Sequence, residues 1–421
     1  MGKRLLPTTK VQVSGHRFMR RRVEHGLIFG DVRMIHDPLA SRRRAAAFGT
    51  VTVLLASGVM GLFAWMRPNP DPGDAAILRA ADGELYVRVD DTVHPVTNLT
   101  SARLVAGTDA EPERIGDEAL AALSRGVPVG IVAAPSLFAP GGDAATLIPP
   151  DKDTWSVCAA DKKVVVRAGE APAPLGEDEA VLAEVDGREW VITAEGRALL
   201  PSTDSEAGRI IRRALRISTR TPRWEPAPQV LTTITELPPY ALPSPLLGVL
   251  RADDSMWVLS ETGGIQEITQ LQGRLLIDAG VSAVDIDRAD LAAYADASPE
   301  VELKLPRVAP TWIDPKETAV CATDTGGGAV WSLEEAQAGA VELGGESAAT
   351  HFAGLADGAV GVDTGRGFHV VGVTGLRHAV DDADALTTIG AHRVAEVPWA
   401  LIRLLPEGAE LTREAAMRAL Y

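Results

Sequence analysis

Cysteine is scarce: Cys158 and Cys321 are the only two in 421 residues, leaving room for a single intramolecular disulfide at most. Aromatic residues are also few, at 5%, although the apolar fraction of 46% is ordinary for a globular protein. No lysine follows a glycine in the Gly-x4-Gly-Lys-Ser/Thr frame that cradles phosphates. Gly2-Lys3 is followed by Arg4 in a basic tail, the glycine-rich stretch 323–328 has no lysine and reads as a loop after Cys321, and 361–367 reads as a hairpin turn. The Gly-x-Ser-x-Gly elbow of a serine hydrolase is missing, and His94, His351, His369, His378 and His392 show no pairing with a nucleophile. His16 and His25 have no third ligand at metal spacing, so neither metal nor cofactor is expected.

Net positive charge is confined to one end. Residues 1–44 carry 11 Lys/Arg against Glu24, Asp31 and Asp37, a net of +8, which leaves −24 on the rest of a chain whose total is −16. A surface that acidic excludes nucleic acid as a partner.

What separates the two charge regimes is a run without charge or proline, residues 45–66, AAAFGTVTVLLASGVMGLFAWM. As a helix its 22 residues cover about 33 Å, enough to cross a bilayer's hydrocarbon core. Its few polar residues, Thr50, Thr52 and Ser57, can bond back to helix carbonyls. Ser41-Arg42-Arg43 faintly resembles an export signal, but no small-x-small cleavage site ends the run, so the segment is expected to stay as an anchor. The flanking arginines place residues 1–44 in the cytoplasm and the bulk of the chain outside. Within the tail, residues 14–30 show helical amphipathicity: Phe18, Met19, Val23 and Leu27 share one arc, Arg17, Arg20 and Arg21 the other. Such a helix either rests on anionic headgroups or docks on a cytoplasmic partner.

Beyond the anchor, Pro68-Asn69-Pro70-Asp71-Pro72-Gly73 gives a stiff exit linker. Four similar segments follow: Asp82-Gly83-Glu84-Leu85-Tyr86-Val87, Asp186-Gly187-Arg188-Glu189-Trp190-Val191, Asp253-Asp254-Ser255-Met256-Trp257-Val258 and, more weakly, Asp357-Gly358-Ala359-Val360-Gly361-Val362. Each sets a turn pair before a short strand. Val96-Thr97-Asn98-Leu99 matches Ile268-Thr269-Gln270-Leu271 in a following turn, so the Asn98-Leu99-Thr100 sequon reads as an ordinary turn. The first and third copies lie the same distance ahead of the second and fourth, as in a duplicated half. Val157-Cys158-Ala159-Ala160-Asp161 echoes Val320-Cys321-Ala322-Thr323-Asp324 in the two inserts. Thiols at equivalent positions of two halves can meet at a pseudo-two-fold axis, and an oxidising compartment would join them, against the alternative of two separately buried thiols. Short helices are expected over 208–215 and 281–297, in a domain that mixes β and α with β predominating.

The stretches Gln12-Val13-Ser14-Gly15-His16-Arg17-Phe18, Arg21-Arg22-Val23-Glu24-His25 and Met34-Ile35-His36-Asp37-Pro38-Leu39 resemble the cytoplasmic N-terminus of EccB proteins. EccB is the single-span core component of actinobacterial type VII (ESX) secretion systems. The likeness extends through anchor, proline-rich exit and cysteine pair to the closing Val397-Pro398-Trp399-Ala400-Leu401-Ile402-Arg403-Leu404-Leu405-Pro406-Glu407-Gly408. It implies a single-pass inner-membrane protein with one N-terminal transmembrane helix and a mixed, β-predominant α/β extracytoplasmic domain. In that domain four repeats would surround a central β-rich core, with pseudo-two-fold symmetry and a cysteine pair. The expected divisions are a basic tail 1–44, span 45–66, linker 67–77, repeat 78–110, core insert 111–179, repeat 180–220, Pro-rich strap 221–248, repeat 249–285, core insert 286–350, repeat 351–390 and C-terminal segment 391–421.

The functional expectation is a structural core subunit with no chemistry of its own. By resemblance its partners are EccC, EccD, EccE and the mycosin protease, together with the lipid bilayer. The expected docking residues are Ser14, Gly15, His16, Arg17, Phe18, Val23 and Leu27. Two alternatives stay open: an ATPase, an activity attributed to some EccB proteins, and a cell-wall-binding module. The latter would need Tyr86, Trp190 and Trp257 exposed as aromatic platforms, whereas strand spacing reads them as core.

Overall fold

The computed structural model describes residues 9–420 except 31, 34–37, 67–69, 136–153, 161 and 356–357. The Met34-Ile35-His36-Asp37 motif, linker residues 67–69, residues 136–153 of the first insert, Asp161 and Asp357 lie outside the described residues. Two compact units are distinguished, Met1–Pro70 and Asp71–Tyr421.

The described residues of the first unit form two helices. The helix α1 (Lys10–Phe29) begins four residues earlier than expected, because Thr9 and Gln12 form a reciprocal capping box and Gly30 closes the other end at φ 70°. The second, α2 (Pro38–Met66), is 29 residues long and carries Arg42, Arg43 and Arg44 on its first turns. Pro38 opens it, where proline's missing N–H leaves nothing unsatisfied. Its Ser41–Phe63 portion is long and apolar enough to cross a membrane and is exposed throughout. Thr50 Oγ1 donates to the Ala46 carbonyl at 2.9 Å, so the hydroxyl is satisfied within the helix.

The second unit contains four small sheets of one connectivity around a larger one. In the first, Ile77–Arg79, Leu85–Val89 and Thr92–Val96 make an antiparallel meander, and the helix Leu99–Ala106 follows. The chain then lays Glu113–Arg114 parallel to the first strand and Ser124–Arg125 parallel to the third. The second sheet repeats the order with Glu179–Val185, Arg188–Thr193, Gly196–Leu199 and helix Glu206–Ala214. Here Trp224 bridges Ala183 and Glu236 bridges Arg197, both in parallel. In the third sheet the strands are Gly248–Ala252, Ser255–Leu259 and Ile265–Ile268, with helix Gln270–Asp278. Ala283–Asp285 lies beside its first strand and Asp296 beside its third. The fourth has Ala359–Asp363, Phe368–Gly372, Arg377–Val380, helix Ala383–Ile389 and the parallel strand Val394–Glu396, with Glu407 and Leu411 bridging the third strand.

Turn chemistry fixes the meanders. The Asp186-Gly187 hairpin puts both residues at positive φ, 51° and 71°, where glycine is strain-free and Asp tolerable. Three of the four following helices start on a side-chain cap expected of Asn, Ser or Asp, with Asn98, Ser205 and Asp382; the fourth has a Thr269–Gln272 capping box.

Several expectations change. The 96–99 and 268–271 matches are helix starts, not turns. Over 281–297 the expected helix is replaced by strand Ala283–Asp285 and the 3-10 turn Arg288–Ala293. Gly280, at φ 108°, ends the preceding helical segment, and the sheet edge at Val249 captures the chain before another helix can start. Each sheet also runs past its expected repeat, to about residues 129, 236, 296 and 411, taking in the start of the strap and most of the C-terminal segment, and the second adds Thr311–Trp312 parallel to its first strand.

Helix Leu99–Ala106 packs on Ala383–Ile389, and Glu206–Ala214 on Gln270–Asp278, so the sheets pair first with fourth and second with third. The two pairs have separate apolar cores, one holding Val87, Ala102, Val370 and Leu386, the other Leu182, Ile211, Val258 and Leu275.

Candidate functional sites: a clamped sheet and an exposed basic helix

A seven-stranded sheet forms the centre of the second unit, in the order Val341–Glu342, His351–Ala353, Lys163–Gly169, Thr154–Ala160, Thr318–Thr323, Gly328–Ser332, Ala173–Pro174. Its middle pair comes from the two inserts and runs antiparallel, with Cys158 directly opposite Cys321. The two are joined by a disulfide, with Cα atoms 4.0 Å apart. Outward from this bond each side continues into an antiparallel hairpin partner, Lys163–Gly169 or Gly328–Ser332. The next strands out differ: His351–Ala353 runs parallel to Lys163–Gly169, whereas Ala173–Pro174 runs antiparallel to Gly328–Ser332.

Period-two alternation gives the sheet its two faces. Trp155, Val157, Val166, Val320 and Ala322 face the main core, which also holds Trp190, Trp224, Leu401 and Leu404. Cys158 and Cys321 face the other way, among Ala160, Ala319, Ala329 and Ala336, beneath the helix Leu333–Gln337. Small residues on that face let the helix sit close. Arg167 ties it down, donating to the Ala338 carbonyl at 2.7 Å with its guanidinium 5.1 Å from the Trp331 ring centre. Burial pushes the Arg167 pKa down.

The glycine-rich 323–328 stretch closes the hairpin beside this bond. The Asp324 carboxylate accepts from the Trp155 backbone N–H at 3.0 Å, and a side chain at Gly328 would press on Ile192, Thr193 and Leu175. It is a packed turn, and 361–367 likewise joins two antiparallel strands. Among the described residues no group of three or more His, Cys, Asp or Glu could hold a metal ion.

In the first unit, α1 presents Phe18, Met19, Val23 and Leu27 to solvent, Leu27 at 81% exposure. Ser14, Gly15, His16 and Arg17 are also exposed. Glu24 receives Arg20 at 3.2 Å and Arg43 of α2 at 2.7 Å, so one carboxylate links the helices. His25 is buried, its ring 5.6 Å from that of Phe29.

The model for the family described as type VII secretion system ESX-1, transport TM domain B (EccB), matches residues 5–246 and 291–420. The chain belongs to the EccB family. The ESX-1 secretion system ATPase EccB1 of Mycobacterium tuberculosis is 27% identical over 99% of this chain and 95% of its own length. The ESX-3 secretion system ATPase EccB3 of Mycolicibacterium smegmatis is 37% identical over 44% of this chain and 37% of its own. In fold, the EccB3 dimer from the ESX-3 core complex aligns with a TM-score of 0.65 at 21% identity, covering 82% of this chain and all of that one. A chain of an intact ESX-5 inner membrane complex aligns at 0.63 and 23% identity, covering 100% and 97%.

The EccB match leaves out residues 247–290, which hold nearly all of the third sheet. Of the expected site residues, the fold brings together Cys158 and Cys321, and the docking residues share α1. Of the aromatic platforms a wall-binding domain would need, Tyr86 and Trp190 are 4% and 6% exposed, and Trp257 is half-buried. Sequence reasoning missed the half-buried triad in which Glu189 receives Arg212 at 2.7 Å and Arg223 at 3.0 Å. Arg212 and Arg223 lie 23 and 34 residues from Glu189, on a helix and a return segment that sequence spacing does not connect.

Proposed function

We propose that this EccB-family protein is a membrane-anchored core subunit of a type VII secretion machine that organises its extracytoplasmic side. The supporting observation is the joining, in one chain, of a single exposed apolar helix to a large domain clamped at its central sheet. The excess of arginine ahead of the span supports a cytoplasmic N-terminus and an outer location for residues 71–421. The partners that fit this reading are EccC, EccD and EccE in the membrane and the mycosin protease outside. Within the chain, α1 would be the docking element, through Phe18, Val23 and Leu27 with Ser14, Gly15, His16 and Arg17 at its start. The shared connectivity of the four sheets supports their descent from one repeated unit in two duplicated halves related by a pseudo-two-fold axis.

Relatives bear the name ATPase, but the chain carries no P-loop lysine. The scaffold reading therefore leads. Its test is gentle detergent extraction of the tagged full chain from cells making the other core subunits. Co-recovery of those subunits is the expected result; recovery of the protein alone overturns it. ATP turnover that survives purification to homogeneity and depends on single side chains of this domain would favour the enzyme reading instead.

A further inference from the structure

The second and fourth sheets carry the same buried arginine device. Arg197 donates through Nε to the Ile234 carbonyl and through a guanidinium nitrogen to Glu236, each at 2.9 Å, with its guanidinium 4.5 Å from the Trp190 ring centre. Arg377 donates to the Leu405 carbonyl at 3.1 Å and to Glu407 at 2.7 Å, and lies 5.0 Å from the Trp399 ring centre. The segments that receive these arginines carry Thr232 and Arg403 on neighbouring turns, and the two meet directly: the Arg403 guanidinium donates to Thr232 Oγ1 at 2.6 Å.

At this meeting point lies an open pocket of about 420 Å³ lined by Thr232, Thr364, Arg366, Pro398, Trp399, Ala400 and Arg403. Its lining has two guanidiniums and no carboxylate, in a chain with 57 acidic residues against 41 basic. Among the described residues neither Arg366 nor Arg403 has an ion-pair partner, whereas Arg377 and Arg197 just behind them are paired. Both free arginines stand on ordered supports. Thr232 orients Arg403. Arg366 stands on a hairpin turn held by Thr364 Oγ1 donating to the Gly367 carbonyl at 2.8 Å and by the Gly365 N–H donating to Asp363 at 2.8 Å.

We infer that this pocket binds a carboxylate side chain of an acidic peptide segment from a partner protein. A planar guanidinium matches a carboxylate with two parallel hydrogen bonds, and two such forks without internal carboxylates leave a site for an added anion. Pro398, Trp399 and Ala400 supply apolar surface beside the charges, which suits the stem and flanking backbone of a peptide better than a bare ion. Trp399 is not a free stacking platform for a sugar, because its ring already meets His369 at 5.1 Å and Arg377 at 5.0 Å.

The test uses the full chain in detergent micelles and the fluorescence anisotropy of a labelled hexaglutamate peptide, with labelled hexaglutamine as control. Saturable binding of hexaglutamate alone is expected, weakening as salt rises. Arg366→Gln with Arg403→Gln should weaken it at least tenfold without moving the thermal transition, since both side chains are exposed. Equal binding by hexaglutamine, or by the double variant, overturns the proposal. So does displacement of the peptide by inorganic phosphate or ATP at lower concentration than by unlabelled hexaglutamate, which would make this a phosphate site.

Discussion

His369 and His378 are buried on adjacent strands of the fourth sheet. Burial lowers both pKa values below the ordinary 6.5; the positive Arg377 adds to this at His369, while the carbonyls of Gly367 and Ala409 pull the other way. A folded state that resists protonation binds fewer protons than the unfolded chain below pH 6.5. The stability these histidines give is therefore present above 6.5 and falls as pH drops through and below that value. Denaturant unfolding of the full chain between pH 7.5 and 5 should show this loss, and His369→Gln with His378→Gln should flatten it; an unchanged profile would exclude them as its source. Glu189 makes a second residue-scale case. Its side chain and that of Arg212 are 12% and 13% exposed, so Glu189→Gln leaves the Arg212 guanidinium without its counter-charge, while Arg223 keeps Glu184 at 3.3 Å. A loss of about 2 kcal/mol is expected in the same assay. Replacing Glu407, whose side chain is 62% exposed, should cost much less.

At the scale of elements, what was legible depended on how local the signal was. The span, the turn pairs before strands and the matched cysteine strands are carried by contiguous residues, and the fold keeps them. Helix starts were legible too but misread: Thr9–Gln12 and Thr269–Gln272 are both Thr-x-x-Gln boxes. The parallel return strands were not legible. Glu113–Arg114 and Ala283–Asp285 are two and three residues long and owe their conformation to a sheet edge built earlier in the chain. No periodicity marks such a segment. The exposed arc of α1 belongs to the legible class. If it docks on partners, Phe18→Ser, Val23→Ser and Leu27→Ser together should release co-purifying subunits while the protein stays in the membrane. Each side chain contributes roughly 1.5–3 kcal/mol when fully buried. Arg17→Gln, Arg20→Gln and Arg21→Gln should instead weaken lipid contact by about 1 kcal/mol each. Normal co-purification of the serine variant, read by quantitative mass spectrometry, would show that α1 only rests on the bilayer.

For the second unit as a whole, the decisive feature is where its one disulfide closes the chain. Cys158 and Cys321 are 163 positions apart, and the loop they close contains the complete second and third sheets, which pack on each other. The first and fourth sheets pack together outside the loop. Without the bond, the two pairs would be held in register by the ladder between Thr154–Ala160 and Thr318–Thr323 and by the core beneath it. A crosslink over a loop this long removes about 5 kcal/mol worth of unfolded-state entropy in the chain-entropy model. Cys158→Ala with Cys321→Ala fits the site sterically, since its neighbours Ala160, Ala319, Ala329 and Ala336 already set that size. The variant should therefore fold but unfold at lower denaturant, by up to about 5 kcal/mol. Reductant should lower the parent to the same level and leave the variant unmoved. If the variant unfolds at the same denaturant concentration as the parent, the ladder and core hold the halves together and the bond adds nothing at equilibrium.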